Sequence, residues 1–276
     1  MTLADAPIRE LAATDLLACS DLAETRGWPR EERKWGLLHD VGHVYGVDAP
    51  DGGLAAAAVS VALGPVASLS MVLVAERFGR QGLGRRITGH AVDAAGDRVV
   101  TLFASKFGRP LYESMGFVVD GGTQGHVGIF TGDGGPEARP AEPGDFAAVH
   151  RLDTEAQGGD REPLLRRLWS RGRPYVVERD GEPRGFAFGT FIGHVTVIGP
   201  IVADDEEQAR ALIRGVARTI DGELRVDPDL RFPGLSGWVR ARGLVPTATA
   251  PRMVLDGRPL PGDPTRRFAP FTRALG

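Results

Sequence analysis

Short apolar runs alternate along this chain with longer stretches of helical periodicity. In the first half, runs rich in Ala, Val and Leu at 54–63, 66–74 and 99–104 predict buried strands. Residues 16–22 and 85–95 place apolar side chains at helical spacing and predict helices. Strands and helices in this order are typical of an α/β fold with a mixed sheet.

A second series of elements begins after residues 133–143, which are rich in Gly, Pro and charge and predict a linker. Residues 138–152 echo residues 6–18, because both contain a short strand, a capped turn and an amphipathic helix. The elements that follow also repeat the order of the first half. The chain is therefore predicted to contain two similar domains, residues 1–132 and residues 144–276.

A glycine-rich loop lies between the run at 66–74 and the helix that follows it. Gly79, Gly82 and Gly84 permit positive φ and leave space beside the backbone, so successive N–H groups can converge where the helix begins. The helix dipole then favours a phosphate or a pyrophosphate. No Gly-Lys-Ser/Thr follows the glycines, which excludes a Walker loop, and the order G-x-x-G-x-G excludes a G-x-G-x-x-G fingerprint. A plain strand-turn-helix, in which the glycines serve packing alone, is the alternative.

The loop sequence RQGLGRRI, Arg80–Ile87, resembles the acetyl-CoA pyrophosphate loop of the GNAT N-acetyltransferases. That pattern runs Gln/Arg-x-x-Gly-x-Gly/Ala between the fourth strand and the third helix of the family. Its first position falls on Gly79 in this chain. One side-chain contact expected from the family is therefore missing, and Arg77 or Arg80 would have to supply it.

A second motif follows at the separation that the family fold requires. The segment SKFGRPLYESMGF, residues 105–117, resembles the GNAT signature Asn-x-x-Ala-x-x-Leu-Tyr-x-x-x-Gly-Phe. Ser105 stands in the place of Asn and Gly108 in the place of Ala, while Tyr112 matches. For Tyr112, packing of a half-buried ring is the alternative to a functional role.

The resemblance implies two tandem GNAT-like domains, each with a mixed, mostly antiparallel sheet, flanking helices and a central parallel strand pair that splays apart. The gap between the two strands would receive the pantetheine arm of acetyl-CoA, or of another acyl-CoA. The cofactor-binding residues that the resemblance implies are Val72, Leu73, Val74, Gly79, Arg80, Gln81, Gly82, Leu83, Gly84, Arg85, Ser105 and Gly108.

The implied reaction is acetyl-CoA-dependent N-acetyltransfer, in which a primary amine attacks the thioester directly. Tyr112 would be the catalytic general acid that protonates the departing thiolate. The general base stays open between Glu24, His39, His43, Glu76 and a chain of water molecules. The alternative function is a non-catalytic acyl-CoA binding or sensing protein whose second domain binds a partner. That alternative does not need Tyr112, so its presence in register favours the enzyme.

In this fold the first two helices cover the acceptor site. Trp28, Trp35 and His39 are therefore candidate substrate-pocket residues, although packing in the core explains the tryptophans equally well. The expected acceptor is a small-molecule amine, with a protein lysine as the alternative. The net charge of −3 slightly favours a cationic acceptor.

The second domain lacks the residues that would support this chemistry. Asp204–Glu207 stands where the glycine loop should lie, and carboxylates at a helix start repel phosphate. Counting four residues back from Gly243, as from Gly116 to Tyr112, reaches Val239, which has no proton to donate. The second domain is therefore predicted to be a degenerate copy.

Composition narrows the class of protein further. An apolar fraction of 42% with 25% charged residues is typical of a soluble globular chain. The net charge of −3 predicts no binding to nucleic acid or to acidic membranes. Cys19 is the single cysteine, so no internal disulfide forms, and no zinc-type cluster predicts a metal. Without a signal peptide or a membrane span, we expect a cytoplasmic protein. Abundant Gly, Ala, Arg and Pro with few Lys favour a bacterial source, and the expected state is a monomer or a homodimer.

Overall fold

The computed structural model describes residues 5–132 and 138–275. The strands of the first half are β1 (Arg9–Glu10), β2 (His43–Asp48), β3 (Leu54–Leu63), β4 (Val66–Val74), β5 (Val99–Phe103) and β6 (Phe117–Ile129). Its helices are α1 (Leu16–Glu24), α2 (Glu32–Val41), α3 (Leu83–Ala94) and α4 (Arg109–Glu113).

The second half repeats this order of elements and then adds a short final strand. Its strands are β7 (Arg139–Pro140), β8 (Arg173–Arg179), β9 (Glu182–Ile192), β10 (Val195–Val202), β11 (Glu223–Val226), β12 (Val245–Leu255) and β13 (Arg267–Ala269). Its helices are α5 (Phe146–Gln157), α6 (Glu162–Arg171), α7 (Glu206–Ala217) and α8 (Pro233–Arg240). The tandem repeat and the α/β class predicted from the sequence are confirmed.

The predicted linker, residues 133–143, is only partly a linker. Residues 133–137 lie outside the described residues, whereas Arg139 and Pro140 already form β7 and pair with β8. A proline is tolerated there because β7 is the last strand of the sheet and one of its edges is unpaired. The second half therefore begins before residue 144. The predicted boundary is wrong because Pro140 is a loop signal in the sequence but lies in an edge strand.

All strands except β13 follow one path through a single sheet, in the order β1-β2-β3-β4-β5-β12-β6-β11-β10-β9-β8-β7. The pairs β4–β5 and β10–β11 are parallel and the other pairs are antiparallel. Each half gives its last long strand to the other half, since β12 pairs with β5 and β6 pairs with β11. The predicted division into residues 1–132 and 144–276 therefore follows the repeat but not the sheet.

The two faces of β3 explain why its sequence is almost continuously apolar. Ala57 and Val59 belong to the core cluster that contains α1 residues, whereas Ala56 and Ala58 belong to the cluster that contains residues of α3. A strand covered on both faces loses the alternation of apolar and polar residues. Within the described part of the chain, no helix has the length and apolar character that crossing a membrane requires.

Candidate active site

The central parallel strands separate as the family resemblance implies. β4 and β5 pair only as far as Leu69 and Leu102. Just beyond, Met71 adopts a positive φ of 50°, and the pairing of β3 with β4 shifts register. The far side of β5 is occupied by β12, through the pair Leu102 and Met253. In the described chain, residues 70–74 of β4 therefore have no strand partner on the side of β5.

A cleft of about 890 Å³, which we call the large cleft, opens in this gap. A volume of this size is typical of sites for small molecules and cofactors. The predicted residues that line the large cleft are Val72, Leu73, Val74, Gly79, Arg80, Ser105, Gly108 and Tyr112. Gln81, Gly82, Leu83, Gly84 and Arg85 follow Arg80 directly and form the start of α3.

The start of α3 is suited to hold an anion. Gly82 is the N-cap residue in a left-handed conformation, with φ of 80°, and no side chain caps the first turn. Arg80 also has a positive φ, of 61°. A Cβ on Gly82 would meet no atom within 4 Å, so glycine serves the backbone conformation here and not a close contact. The uncapped N–H groups at this helix end can therefore donate to a phosphate.

Among the described arginines of the loop and the start of α3, Arg80 has a side chain that is available to a ligand. Arg85 donates from Nη2 to the carbonyl oxygen (3.2 Å) and to Oγ (2.6 Å) of Ser114, which ties α3 to α4. Arg77 forms an ion pair with Asp51 at 2.8 Å. Arg80 lines the large cleft and makes no side-chain hydrogen bond or ion pair with the described residues. The Arg85 side chain thus has a structural partner, and its contact with the cofactor stays a prediction.

Tyr112 on α4 closes one side of the large cleft. Its side chain is almost buried, at 8% exposure, and its ring packs edge-on against Phe117 with 5.8 Å between centroids. Gly108 permits this position, because a Cβ there would lie 2.9 Å from the tyrosine ring. Burial raises the pKa of Tyr112 to about 12. The phenol therefore stays protonated at neutral pH and can donate a proton.

A second cleft, of about 230 Å³, lies beside the first, and we call it the small cleft. The two clefts share Trp28, Ser70, Met71, Phe103 and Ser105 as lining residues. The shared wall includes the irregular part of β4. Within the described residues, the buried Oγ of Ser70 has no hydrogen-bond partner at this junction. A polar group of a ligand could satisfy it.

The small cleft is built by both halves of the chain. Glu31 and Lys34 of the first half line it and form an ion pair at 2.9 Å. Arg225 and Arg273 of the second half also line it. Both contact Asp227, at 2.8 and 3.1 Å. Lys34, Arg225 and Arg273 thus meet the carboxylates of Glu31 and Asp227, which leaves one positive charge in excess around the small cleft.

The predicted substrate-pocket residues have different places. Trp28 lines both clefts and is 37% exposed. Trp35 is completely buried in the core, so the prediction that it forms a pocket wall is wrong. His39 is partly buried and is not among the residues that line either cleft. His43 bonds Glu10 at 2.6 Å on the surface and is not among the residues that line either cleft.

The corresponding strand edge in the second half is covered. The hairpins β3–β4 and β9–β10 have turns of equal length, which aligns Val72 with Ile201. There β13 pairs with β10, joining Ile201 to Ala269 and Val202 to Arg267. The chain's own final strand therefore lies along the edge that is open in β4.

The helix start of the second half is also closed to anions. Three residues connect β10 to α7, whereas eight connect β4 to α3. Asp205 caps α7 by accepting a hydrogen bond from the backbone N–H of Gln208 at 2.8 Å. Glu206 and Glu207 add negative charge in the first turn. The acidic helix start, which the sequence predicts, thus makes the second half a degenerate copy. The strand β13, which the sequence does not predict, contributes to the same result.

Comparisons with known proteins agree with this fold. Models of the acetyltransferase (GNAT) domain match residues 51–131 and residues 149–269. The uncharacterized N-acetyltransferase YitH of Bacillus subtilis is 28% identical over 209 residues, which are 73% of this chain and 74% of that protein.

Solved structures share the fold over both halves. A candidate acetyltransferase of Pyrococcus horikoshii superposes with a TM-score of 0.81 at 16% identity, over 98% of this chain and 95% of that one. A GCN5-related N-acetyltransferase of Sphaerobacter thermophilus gives a TM-score of 0.66 at 21% identity, over 94% and 98%. A tandem GNAT protein from the clavulanic acid biosynthesis pathway gives 0.65 at 14% identity, over 92% and 99%.

Proposed function

Because this chain belongs to the GNAT acetyltransferases and carries two GNAT domains in tandem, we propose that its first half transfers an acyl group from acetyl-CoA, or from another acyl-CoA, to a primary amine. The observation that carries the proposal is the large cleft. It combines an unpaired strand edge with a buried phenol, and Gly79 and Arg80 of its lining lead directly to an uncapped helix start. The second half contributes residues to the small cleft, which would be the acceptor site.

The residues of the large cleft fit an acyl-CoA. The backbone of Val72 and Val74, on the open edge of β4, would pair with the amides of the pantetheine arm. The N–H groups from Gly82 to Gly84 and the side chain of Arg80 would hold the pyrophosphate. The bound acyl-CoA supplies an activated thioester carbonyl. A backbone N–H of β4 beyond Leu69 would stabilise negative charge on that carbonyl oxygen.

The protein then orients the amine against the thioester and transfers protons. The amine nitrogen attacks the thioester carbon, the C–S bond breaks, and Tyr112 donates its proton to the leaving sulfur. No enzyme nucleophile is required. Cys19 is unsuitable as one, because it is completely buried and burial raises the pKa of its thiol to about 12. Glu31 is the carboxylate that lines the small cleft in the described chain, and it would receive the amine proton directly or through water.

The small cleft favours an acceptor that carries an acidic group besides its amine. Its wall has one positive charge in excess, which would attract a carboxylate or a phosphate of the acceptor. The overall charge of the chain favours a cationic acceptor instead, but the groups that touch a ligand count more than distant ones. A narrow cleft of about 230 Å³ between two halves also favours a small molecule over a protein lysine.

An amine panel with acetyl-CoA, read out as thiol release, tests this function. We expect amino acids to react faster than the matching amino alcohols and amides. Tyr112→Phe should lower kcat by about 10- to 100-fold, because a general acid typically contributes at least that much, with little change in CoA affinity. If CoA binds tightly while none of the amines accelerates thiol release, the protein is the non-catalytic acyl-CoA binding protein instead.

A further inference from the structure

A third cavity, which we call the interface pocket, lies between the two halves. It has a volume of about 70 Å³. The β3–β4 and β9–β10 hairpins align Val66 with Val195 and Ser68 with Val197. Val195 and Val197 line the small cleft, while Val66 and Ser68 line the interface pocket. The interface pocket is therefore the counterpart, in the second half, of the small cleft.

The interface pocket contains several arginines, and most of them are neutralised by carboxylates. Arg161 pairs with Asp153 at 2.7 Å, and both side chains are almost completely buried. Arg252 pairs with Asp120 at 3.0 Å. These pairs hold the walls of the pocket together, and each positive charge in them is matched by a negative one.

One arginine of the interface pocket has no such partner. Asp229 is engaged by Arg231 at 2.8 Å and contacts Arg252 at 3.6 Å. Among the described residues, Arg267 forms no ion pair and no side-chain hydrogen bond, and its Nε is buried without a partner. Burial, together with the charges of Arg252 and Arg231, lowers the pKa of Arg267 to about 10. The group is still cationic at neutral pH, so an uncompensated charge faces the pocket.

A hydroxyl without a partner faces the same cavity. Thr123 is 1% exposed and lines the interface pocket, and within the described chain its Oγ1 has no hydrogen-bond partner. The apolar part of the lining includes Leu63, Leu260 and Pro270, and the polar part also includes Gln157 and the carboxylate of Asp229. Arg231 and Arg252 compensate that carboxylate. The groups left for a ligand are thus one guanidinium, one hydroxyl and an apolar wall.

We propose that the interface pocket binds a small organic carboxylate, with Arg267 and Thr123 as its polar contacts. A guanidinium presents two parallel N–H donors that match the two oxygens of a carboxylate. The threonine hydroxyl donates to the same group, and the apolar wall covers a short hydrocarbon body. The cavity is too small for a nucleotide. The second half has thus lost the acyl-CoA site but retained a ligand pocket of its own.

Calorimetry on the full chain, without CoA or amine, tests this site with sodium butyrate as the probe and butyramide as its neutral match. We expect butyrate to bind and butyramide not to bind. Arg267→Gln should weaken butyrate binding by about tenfold or more, because it removes a charge-assisted pair of hydrogen bonds. Arg179→Gln is the control, since it removes the same charge from an exposed position at the end of β8.

Two further measurements separate a pocket from a general charge effect. Without ligand, Arg267→Gln should raise Tm relative to the parent, because the charge that it removes has no partner, while butyrate should no longer raise Tm. Thr123→Val keeps the charge and the shape, and should weaken butyrate binding several-fold.

The proposal is overturned if butyrate and butyramide behave alike, or if neither binds. It is also overturned if phosphate binds in place of butyrate. Because Arg273 lies in the small cleft, loss of butyrate binding in Arg273→Gln but not in Arg267→Gln would place the carboxylate there and refute the interface pocket. Acetyltransfer is not used as a readout, and Arg273→Gln separates binding in the interface pocket from binding of a carboxylate in the small cleft. Failure of this proposal and failure of the proposed function are therefore distinguishable.

Discussion

The two halves share one order of elements, but the backbone groups of the central strand edge and of the following helix start are open in one half and covered in the other. In the first half, the edge of β4 and the start of α3 remain without partners from the described chain. In the second half, β13 covers the edge of β10 and Asp205 caps α7. Backbone N–H and C=O groups must be satisfied when they are buried. A ligand can therefore satisfy them in one half, while the chain does so in the other.

The halves also depend on each other for their cavities. Residues of the second half line the small cleft, and residues of the first half line the interface pocket. The exchange of β6 and β12 explains this mutual dependence. These two strands pair with each other at the centre of the sheet, with the β3–β4 hairpin on one side of them and the β9–β10 hairpin on the other. The degenerate second half thus still supplies two structural parts to the first half, namely lining residues of the small cleft and the strand β12 that pairs with β5.

The strongest way to break the comparison is to remove one half. A chain ending at residue 132 would lose β12, which covers β5, and Met253, which is completely buried in a core with Leu83 and Ile87. We expect no cooperative thermal unfolding by circular dichroism and no CoA binding by calorimetry. Co-expression of residues 133–276 should restore both. A fragment that binds CoA as the full chain does would show that the first half folds alone.

This dependence marks the limit of what the sequence predicts. The strands, the glycine loop and Tyr112 are local patterns, and the structure has them where they are predicted. The exchange of β6 and β12 is not local, since a strand's period sets its faces but does not select its partner. The same holds for β13, which is three residues long.

Two errors in the predicted site have a physical cause. Trp28 and Trp35 look alike in sequence, but Trp35 lies three residues before Leu38, and both are fully buried. Residues spaced by three share a helix face, so this spacing was a usable signal for the core. Arg225 and Arg273 carried no signal for the small cleft, because their position depends on how the halves pack.

A sharper test gives the first half the helix cap of the second. Gly82→Asp places a carboxylate at the start of α3, as Asp205 does at the start of α7. We expect CoA affinity in calorimetry to fall by about 100-fold or more, because like charges about 4 Å apart repel by several kcal/mol near a protein surface. The fold should persist, since a Cβ at this position meets no atom within 4 Å.

Gly181→Asp is the matched control for this substitution. Gly181 has nearly the same φ, 79° against 80°, and open space around its Cβ position, but it lies in the β8–β9 turn. Both variants carry the same strain and the same added charge. Equal CoA affinity in the two variants would mean that the start of α3 does not hold the pyrophosphate.

The reverse change in the second half should have the smallest effect. Asp205→Ala removes the cap of α7 and should lower the free energy of unfolding by about 1 kcal/mol in chemical denaturation. Asp221→Ala is the control, because Asp221 is exposed and lies outside the helix. CoA should still bind with a stoichiometry of one per chain, since β13 continues to pair with β10. A second equivalent of CoA in Asp205→Ala would mean that the cap alone, and not the final strand, closes the second half to the cofactor.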